Sequence, residues 1–352
     1  MTYQITIEPL GRTIEAAEGQ TVLDACLRAG VWLPHACGHG LCATCKVQVR
    51  DGVVEIGEAS PFALMDFERE EGKCLACCAI PQADLVIEAE IDEDPDARHH
   101  VIEDYVGKVS RIVDLTPTIK AFHIELEGEG LQFQAGQYVN VRIPGEERPR
   151  AFSLAQPPSS AREIELNVRI VPGGKGTTYL HERLRVGDRV ELTGPFGGFF
   201  VRVSDPRPLI FMAGGSGLSS PKSMILDLIE QGDQRPITLI YGARNRTELY
   251  YDDLFQSLAE QHPQFRYVPA LSEPTPSCDW HGFKGFVHEA ATSLYGQDFR
   301  GSRAYLCGPP PMIEACIRTL MQGRLFERDI FTEKFLSEAD ASAARSPLFK
   351  AL

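Results

Sequence analysis

The sequence has no apolar run that approaches the roughly 18 residues needed for a membrane-spanning helix. Its first ten residues alternate polar and apolar side chains, without the basic and then apolar layout of a secretory signal. Basic residues form no stripe, and the formal net charge is −14, so a surface that neutralises nucleic-acid phosphates is not expected. These absences predict a cytoplasmic protein that binds neither membranes nor nucleic acid.

The sequence also lacks internal repeats and low-complexity tracts, and its 352 residues are too many for one hydrophobic core. Two or three domains are therefore expected. The acidic charge is unevenly distributed, because residues 1–97 contain 18 acidic and six basic residues whereas the remainder is nearly balanced. This concentration indicates either a solvated surface or a face that steers a basic protein partner.

Cysteine is abundant, and seven of the ten cysteines fall within the first 78 residues. In a large chain without a secretory signal, such clustering is more typical of a metal site than of disulfides. Cys37, Cys42 and Cys45 have the C-x4-C-x2-C spacing of plant-type 2Fe–2S ferredoxins. Gly38 and Gly40 permit the positive φ angles of a tight loop whose backbone N–H groups point at the thiolates.

A fourth cluster ligand must come from Cys74, Cys77 or Cys78. Cys77 is favoured because the string LACCAIP (residues 75–81) resembles the ferredoxin pattern in which cysteine precedes proline by four residues. The other two are then expected to be packing cysteines. A zinc site, or a set of buried cysteines without metal, remains an alternative for the whole group.

The apolar patterns divide the chain into three domains and a tail. Short strands with one helix predict an α+β domain over residues 1–92, followed by a polar linker. Closely spaced strands predict an antiparallel β-barrel over 103–204. Alternating strands and helices predict an α/β domain with a parallel sheet over 205–336, and residues 337–352 read as a poorly ordered tail.

Two short motifs fall within the predicted barrel. Arg150-Ala-Phe152-Ser153 follows the strand QYVNVRI, and the planar guanidinium of its arginine suits a pyrophosphate. Gly174-Lys-Gly-Thr177 precedes a predicted helix, whose amino-terminal N–H groups favour an anion. Either motif alone could be an ordinary strand end or a glycine turn.

Two further motifs follow buried strands of the predicted parallel sheet. The string GGSGLSSP (residues 214–221) lies between a strand and a helix, where glycines let a phosphate approach the backbone. Cys307-Gly308-Pro309 follows the strand RAYL. Both motifs stand at the carboxyl ends of strands, which is the edge where such sheets bind ligands.

Taken together, these motifs resemble the ferredoxin–NADP reductase superfamily, with Phe152 where that superfamily has tyrosine. The resemblance spans nearly the whole chain, and the order of ferredoxin, flavin and nucleotide domains is that of the reductases of bacterial multicomponent oxygenases. It implies a 2Fe–2S cluster in a β-grasp ferredoxin domain, an FAD barrel and an NADH-binding domain. Hydride from NADH would pass to the flavin, and single electrons would leave through the cluster.

The resemblance also implies roles for individual residues. Arg150 would pair with the FAD pyrophosphate, Phe152 would line the flavin, and Ser153 would contact flavin N5. Cys307 and Glu333 would lie near the nicotinamide, and Phe335 would shield the flavin, although 17 residues follow it here. The other residues implied in cofactor binding are Val168, Arg169, Ile170, Gly174, Gly176, Thr177, Gly215, Gly217, Leu218, Ser219, Gly308 and Pro309.

Within that family, the strings GVWLPHACGHGLCATCKVQV and KFLSEAD are most similar to the reductases of phenol hydroxylases, whose oxygenase partner is a di-iron protein. Reductases of Rieske dioxygenases and of toluene or methane monooxygenases are near relatives and remain alternatives. The sequence GAR at 242–244 favours NADH over NADPH. Two other classes stay open, namely a pure electron-carrier module and a stand-alone NADH oxidase or quinone reductase.

Overall fold

A computed structural model of the protein describes residues 1–91, 94–146, 148–275 and 279–335. The described chain forms two compact units. The first comprises Met1–Glu103 together with Gly194–Gly198, and the second comprises Asp104–Thr193 together with Phe199–Phe335. The predicted tail and Cys278 lie outside the described residues. The predicted domain limits remain a prediction.

The first unit is built on a mixed sheet of five strands in the order β2-β1-β7-β3-β5, the β-grasp arrangement that was predicted. Strands β1 and β7 are parallel, and the other pairs are antiparallel. The strands are β1 (Thr2–Glu8), β2 (Arg12–Ala17), β3 (Lys46–Asp51), β4 (Val54–Glu55), β5 (Lys73–Leu75), β6 (Ile80–Pro81) and β7 (Leu85–Glu88), with β4 and β6 forming a separate ribbon.

Two helices complete this unit, α1 (Val22–Arg28) and α2 (Asp66–Glu70). Thr21 begins α1 as its N-cap, because its hydroxyl accepts the Asp24 N–H at 3.2 Å. Strand β7 ends at Glu88. Its parallel partner β1 ends at Glu8, since Pro9 has no N–H to continue the ladder.

A six-stranded sheet, most of which belongs to the second unit, curls into a nearly closed barrel in the order β11-β10-β13-β8-β9-β12. A bridge between Leu154 and Leu166 connects its two edges. Apolar residues from these strands fill the interior. The elements are β8 (Glu103–Asp114), β9 (Ile119–Leu126), β10 (Tyr138–Val141), β11 (Arg150–Ser153), β12 (Glu163–Arg169), α3 (Lys175–Glu182) and β13 (Arg189–Phe196).

The same unit contains a six-stranded sheet in the order β17-β16-β15-β14-β18-β19, with every neighbouring pair parallel. This confirms the predicted α/β class. The strands are β14 (Leu209–Gly214), β15 (Ile237–Ala243), β16 (Phe265–Leu271), β17 (Phe283–Lys284), β18 (Arg303–Gly308) and β19 (Ile330–Lys334). The helices are α4 (Ser219–Glu230), α5 (Asp252–Gln261), α6 (Val287–Tyr295) and α7 (Pro310–Gln322).

Strand β14 lies at the centre of this sheet, and all six of its residues are buried. The chain leaves β14 toward β15 on one side, and β18 lies on the other, so the strand order reverses beside β14. Open parallel sheets bind ligands in the crevice at such a reversal, outside the carboxyl ends of the strands. A nucleotide site is therefore expected in the crevice between the ends of β14 and β18.

A buried ion pair joins the barrel to the helix that follows β14. Lys222 Nζ on α4 donates to Glu165 Oε2 on β12 at 2.7 Å, and both side chains are at least nine-tenths buried. The Tyr251 hydroxyl donates to the other oxygen of Glu165 at 2.5 Å.

In the part of the chain that the structure describes, no helix is both long enough and apolar enough to cross a membrane.

Candidate functional site

The predicted cluster loop runs from Cys37 to Cys45, between α1 and β3 of the first unit. Gly38 and Gly40 have φ angles of 68° and 76°, which confirms the positive φ predicted for both. Backbone N–H groups turn inward, and those of His39 and Leu41 each donate to Cys37 Sγ at 3.4 Å. The loop thus directs two N–H donors at the Cys37 sulfur, as expected around a cluster ligand.

The four predicted cluster ligands meet as two pairs. The Cys37 thiol is hydrogen-bonded to Cys42, and the Cys77 thiol is hydrogen-bonded to Cys45. The bond from Cys37 is the largest cause that lowers the pKa of Cys42, to about 5. Two pairs of thiolates are the donor set that a di-iron cluster requires, with two ligands for each iron.

The remaining cysteines of this region differ in position. Cys74 on β5 is 1% exposed, and burial raises its pKa to about 12, so it is a packing residue. Cys78 borders the loop instead, because its sulfur lies 3.6 Å from Cys77 Sγ and donates to Glu58 O at 3.6 Å. Cys77 is hydrogen-bonded to Cys45 as well as to Cys78, and its assignment as the fourth ligand stays a prediction.

The two motifs of the barrel lie against each other. Arg150-Ala-Phe152-Ser153 is itself strand β11, paired with β10, and Gly174 is the N-cap of α3. A Cβ placed on Gly176 would lie 2.8 Å from Arg150 Cγ, so the arginine stem covers the first turn of α3. Its guanidinium donates to Arg148 O at 2.7 Å. Thr177 accepts the Val171 N–H at 3.1 Å, which closes the turn before the helix.

The segment Val168-Arg169-Ile170 at the end of β12 forms hydrogen bonds and an ion pair with other parts of the second unit. Val168 O lies 2.8 Å from His181 Nε2, and the Ile170 N–H donates to Thr118 O at 2.9 Å. Arg169 forms an ion pair of 3.0 Å with Glu248. Its guanidinium also reaches Gly215 in the loop after β14, where a Cβ would lie 3.0 Å from Nη1.

The loop GGSGLSSP forms a 3₁₀ turn (Gly215–Leu218) that continues into α4. A Cβ on Gly217 would lie only 2.4 Å from the carbonyl oxygen of Cys307, so the turn rests on the end of β18. Gly308 follows there with φ 154°, and Pro309 is the N-cap of α7. Ser219 Oγ donates to Ser216 O at 3.0 Å. The predicted nucleotide residues therefore meet at the reversal of strand order.

Ser153, Cys307 and Glu333 come together beside this loop. Cys307 and Glu333 are register partners on the parallel strands β18 and β19. Ser153 Oγ donates to Glu333 Oε2 at 3.2 Å, and Cys307 Sγ donates to the same oxygen at 3.4 Å. Ser220 of the GGSGLSSP string, for which no individual role was predicted, donates to that oxygen at 2.6 Å. Phe335 is partly buried, and its N–H donates to Gly308 O at 3.2 Å.

Burial sets the ionisation of this group of side chains. It raises the pKa of Glu333, while the hydrogen bonds from Ser220, Cys307 and Ser153 act in the opposite direction. Burial, together with the nearby Glu333 carboxyl, raises the pKa of the Cys307 thiol well above its ordinary value. Cys307 is therefore a neutral thiol at neutral pH, and Glu333 is a carboxyl whose charge depends on its hydrogen-bond donors.

Three family models match successive parts of the chain. The 2Fe-2S iron-sulfur cluster binding domain matches residues 5–82, the oxidoreductase FAD-binding domain matches 107–201, and the oxidoreductase NAD-binding domain matches 211–318. The reductase component DmpP of phenol 2-monooxygenase from Pseudomonas sp. (strain CF600) is 62% identical over 99% of both chains. The chain belongs to the oxygenase reductases of the ferredoxin–NADP reductase type.

Other members of this oxygenase reductase family are similar over the same length. The phenol hydroxylase P5 protein of Acinetobacter pittii (strain PHEA-2) is 58% identical over 99% of both chains. The crystal structure of the Amycolatopsis cytochrome P450 reductase GcoB superposes with a TM-score of 0.87 at 36% identity, covering 95% of this chain and 98% of that one.

Membership confirms the predicted fold class, the cofactor set and the reaction class. This oxygenase reductase is an NADH oxidoreductase with domains for a 2Fe–2S cluster, FAD and NAD. The alternatives of a pure electron-carrier module and of a zinc site in place of the cluster are thereby set aside. The hydrogen bond from Ser220 to Glu333 and the Arg169–Glu248 ion pair could not be predicted, because the partners are distant along the chain.

Proposed function

We propose that this oxygenase reductase passes electrons from NADH to the di-iron oxygenase component of a phenol monooxygenase in the cytoplasm. The observation that carries the proposal is the full-length identity of 62% to a reductase component of phenol 2-monooxygenase. None of the nine cysteines of the described residues forms a disulfide, which suits a reducing compartment.

Residue roles follow from the positions described above. Cys37, Cys42, Cys45 and Cys77 would hold the cluster, because their thiols pair two and two and N–H donors surround the first of them. When bound, FAD accepts a hydride and the cluster carries single electrons. The cofactors therefore convert a two-electron donation by NADH into one-electron transfers. The protein binds and orients them.

The barrel and the nucleotide loops would hold the two organic cofactors. Arg150 and the first turn of α3, with Gly174 and Gly176, offer a cationic fork beside a helix amino terminus, which fits a pyrophosphate. Phe152 packs beside the barrel core and would form an apolar wall of the FAD site. The other cofactor-binding residues proposed are Ser153, Val168, Arg169, Ile170, Thr177, Gly215, Gly217, Leu218, Ser219, Gly308, Pro309 and Phe335.

The acidic first unit would meet the oxygenase. Residues 1–97 carry a net charge of −12, so a basic surface on the partner would be attracted at low ionic strength. Such redox encounters bury little area and are transient. The proposed docking should therefore weaken steeply as salt is added, because exposed charges are screened within about 8 Å at physiological ionic strength.

Reconstitution tests the proposal directly. Purified protein, loaded with FAD and its cluster, is mixed with NADH, phenol and the purified di-iron oxygenase component, and hydroxylated product is measured. We expect product only when both proteins are present, and a rate that falls with added salt. NADH oxidation that supports no hydroxylation by the oxygenase, while ferricyanide is reduced normally, would contradict the proposed partner and leave the reductase activity intact.

A further inference from the structure

Ser220 occupies an unusual place for a serine in the first turn of a helix. Its side chain is fully buried, and Oγ donates to Glu333 Oε2 at 2.6 Å. This is the shortest of the three hydrogen bonds to that carboxyl, since those from Ser153 and Cys307 measure 3.2 and 3.4 Å. Serine at a helix start commonly bonds its own helix backbone. Ser220 instead connects α4 to β19, 113 residues away.

The three hydrogen bonds converge on a single oxygen of Glu333. All of them end at Oε2, and within the described residues none ends at Oε1. A carboxylate has about four acceptor sites over its two oxygens, so Oε1 keeps its capacity to accept a further N–H. The carboxyl is thus held at one oxygen and available at the other.

We propose that Ser220 is a positioning residue for NADH oxidation, which anchors Glu333 through Oε2 so that Oε1 accepts an N–H of the nicotinamide carboxamide. This inference rests on the proposed function and on the role implied by the family resemblance, in which Glu333 lies near the nicotinamide. Ser220 acts through Glu333 in two ways: it fixes the orientation of the carboxyl, and it favours the ionised form.

The surroundings of Glu333 make its charge sensitive to this one hydroxyl. The groups that face it are Ser153 from β11, Ser220 from α4 and the thiol of Cys307 from β18, and of these Cys307 is the titratable one. Burial favours the neutral carboxyl, and the donors oppose it. Removal of the shortest donor therefore raises the pKa of Glu333.

Ser223→Ala provides a matched control for Ser220→Ala. Ser223 lies one turn later in α4, is equally buried, and donates through Oγ at 2.6 Å to the carbonyl oxygen of Gln156. Both variants lose one buried hydrogen bond of the same length. The partner is an ionisable carboxyl for Ser220 and a neutral carbonyl for Ser223, so only the first loss should depend on pH.

The first measurement is the rate of flavin reduction by NADH in the holoprotein, followed by stopped flow across pH. The carboxylate form of Glu333 accepts the carboxamide N–H, so the rate should rise with pH through the pKa of Glu333. In Ser220→Ala this rise should move about one pH unit higher, the size expected when a hydrogen bond to a carboxylate is lost. Ser223→Ala should keep the wild-type profile, and Ser220→Ala should cause no shift in a Glu333→Gln background.

The second measurement is thermal unfolding of the same proteins across pH, which does not involve turnover. Because the pKa of Glu333 is higher in the folded than in the unfolded protein, its ionisation destabilises the fold as pH rises between the two values. Ser220→Ala extends that interval upward, so its Tm should fall further below wild type as pH rises. The deficit of Ser223→Ala should stay constant.

The outcomes distinguish a failure of the Ser220 role from a failure of the proposed oxygenase partner. A pH-independent Tm deficit in Ser220→Ala, or an unshifted rate profile, would overturn the role of Ser220. A rate profile in Glu333→Gln equal to that of wild type would also overturn it, because Glu333 would then not act on NADH. Flavin reduction with the expected shift, in a protein that fails to support hydroxylation by the oxygenase, would uphold Ser220 and contradict only the proposed partner.

Discussion

Gly217 lies directly against Cys307, so close that a Cβ on the glycine would stand 2.4 Å from the carbonyl oxygen of the cysteine. The same Cβ would lie 2.6 Å from Cα of Gly308. Both contacts are with backbone, which cannot move aside as the end of a side chain can. The loop after β14 and the end of β18 therefore fit together only because residue 217 has no side chain.

Replacement of Gly217 by alanine should separate these two segments. We expect a loss of about 1–3 kcal/mol in stability from overpacking and a loss of roughly tenfold or more in kcat/KM for NADH, because small misplacements of binding groups are costly. Gly198→Ala is the control, since nothing lies within 4 Å of a Cβ there. Steady-state kinetics and thermal unfolding measure both effects, and equal behaviour of the two variants would contradict the packing argument.

Replacement of Cys77 by serine should remove the cluster. The Cys77 thiol pairs with Cys45, whereas Cys74 is buried in packing and Cys78 bonds to Glu58 O. We expect iron and acid-labile sulfide to fall well below two of each per chain in Cys77→Ser, with FAD content unchanged. Cys74→Ser and Cys78→Ser should keep their cluster absorption and electron paramagnetic resonance signal. A Cys77→Ser protein with full iron content would assign the fourth ligand elsewhere.

The ion pair between Lys222 and Glu165 should matter for stability because it is buried. Lys222→Met leaves the carboxylate of Glu165 without its cation, and loss of one partner of a buried pair costs about 3–5 kcal/mol. The comparison is Arg142→Met, which breaks the exposed pair with Glu191 and should change stability by less than about 1 kcal/mol. Denaturant unfolding in the presence of saturating FAD measures the difference, and similar values for both variants would contradict this account.

Asp205 should contribute to the loss of stability in acid. Hydrogen bonds from Arg207, assisted by Arg303, hold the pKa of Asp205 well below its usual range. A carboxyl whose pKa is lower in the folded than in the unfolded protein stabilises above its unfolded pKa, near 3.9, and loses this contribution as pH falls below it. Asp205→Asn should therefore lower Tm at pH 7 and flatten the decline of Tm toward pH 3.

Asp298 offers the matched comparison for that experiment. It also pairs with an arginine two residues later, but both side chains of the Asp298–Arg300 pair are at least half exposed. Solvent screens such a pair, so Asp298→Asn should change Tm at pH 7 much less than Asp205→Asn. If the two substitutions had equal effects, burial would not be the reason for the contribution of Asp205.

The cluster loop and the nucleotide loops could be predicted because their signals are local. The spacing of Cys37, Cys42 and Cys45 and the glycines between them determine the loop within nine residues. The GGSGLSSP and Cys307-Gly308-Pro309 strings each follow a buried strand, and the ends of parallel strands meet at one edge.

What the sequence did not reveal depends on distant contacts. Ser220 reads as an ordinary helix-start serine, and only the fold places Glu333 beside it. Glu165 and Lys222 are 57 residues apart, so their pairing has no local signature.

The carboxyl of Glu333 receives one hydrogen bond from the barrel, through Ser153, and two from the nucleotide-binding part, through Ser220 and Cys307. Ser153 and Glu333 are 180 residues apart. A chimera that joined this barrel to the nucleotide-binding part of another reductase would bring together a serine and a glutamate from different proteins. Their hydrogen bond would then depend on how well the two parts fit. Exchange between relatives should consequently preserve NADH oxidation only when the barrel and the nucleotide-binding part are exchanged together.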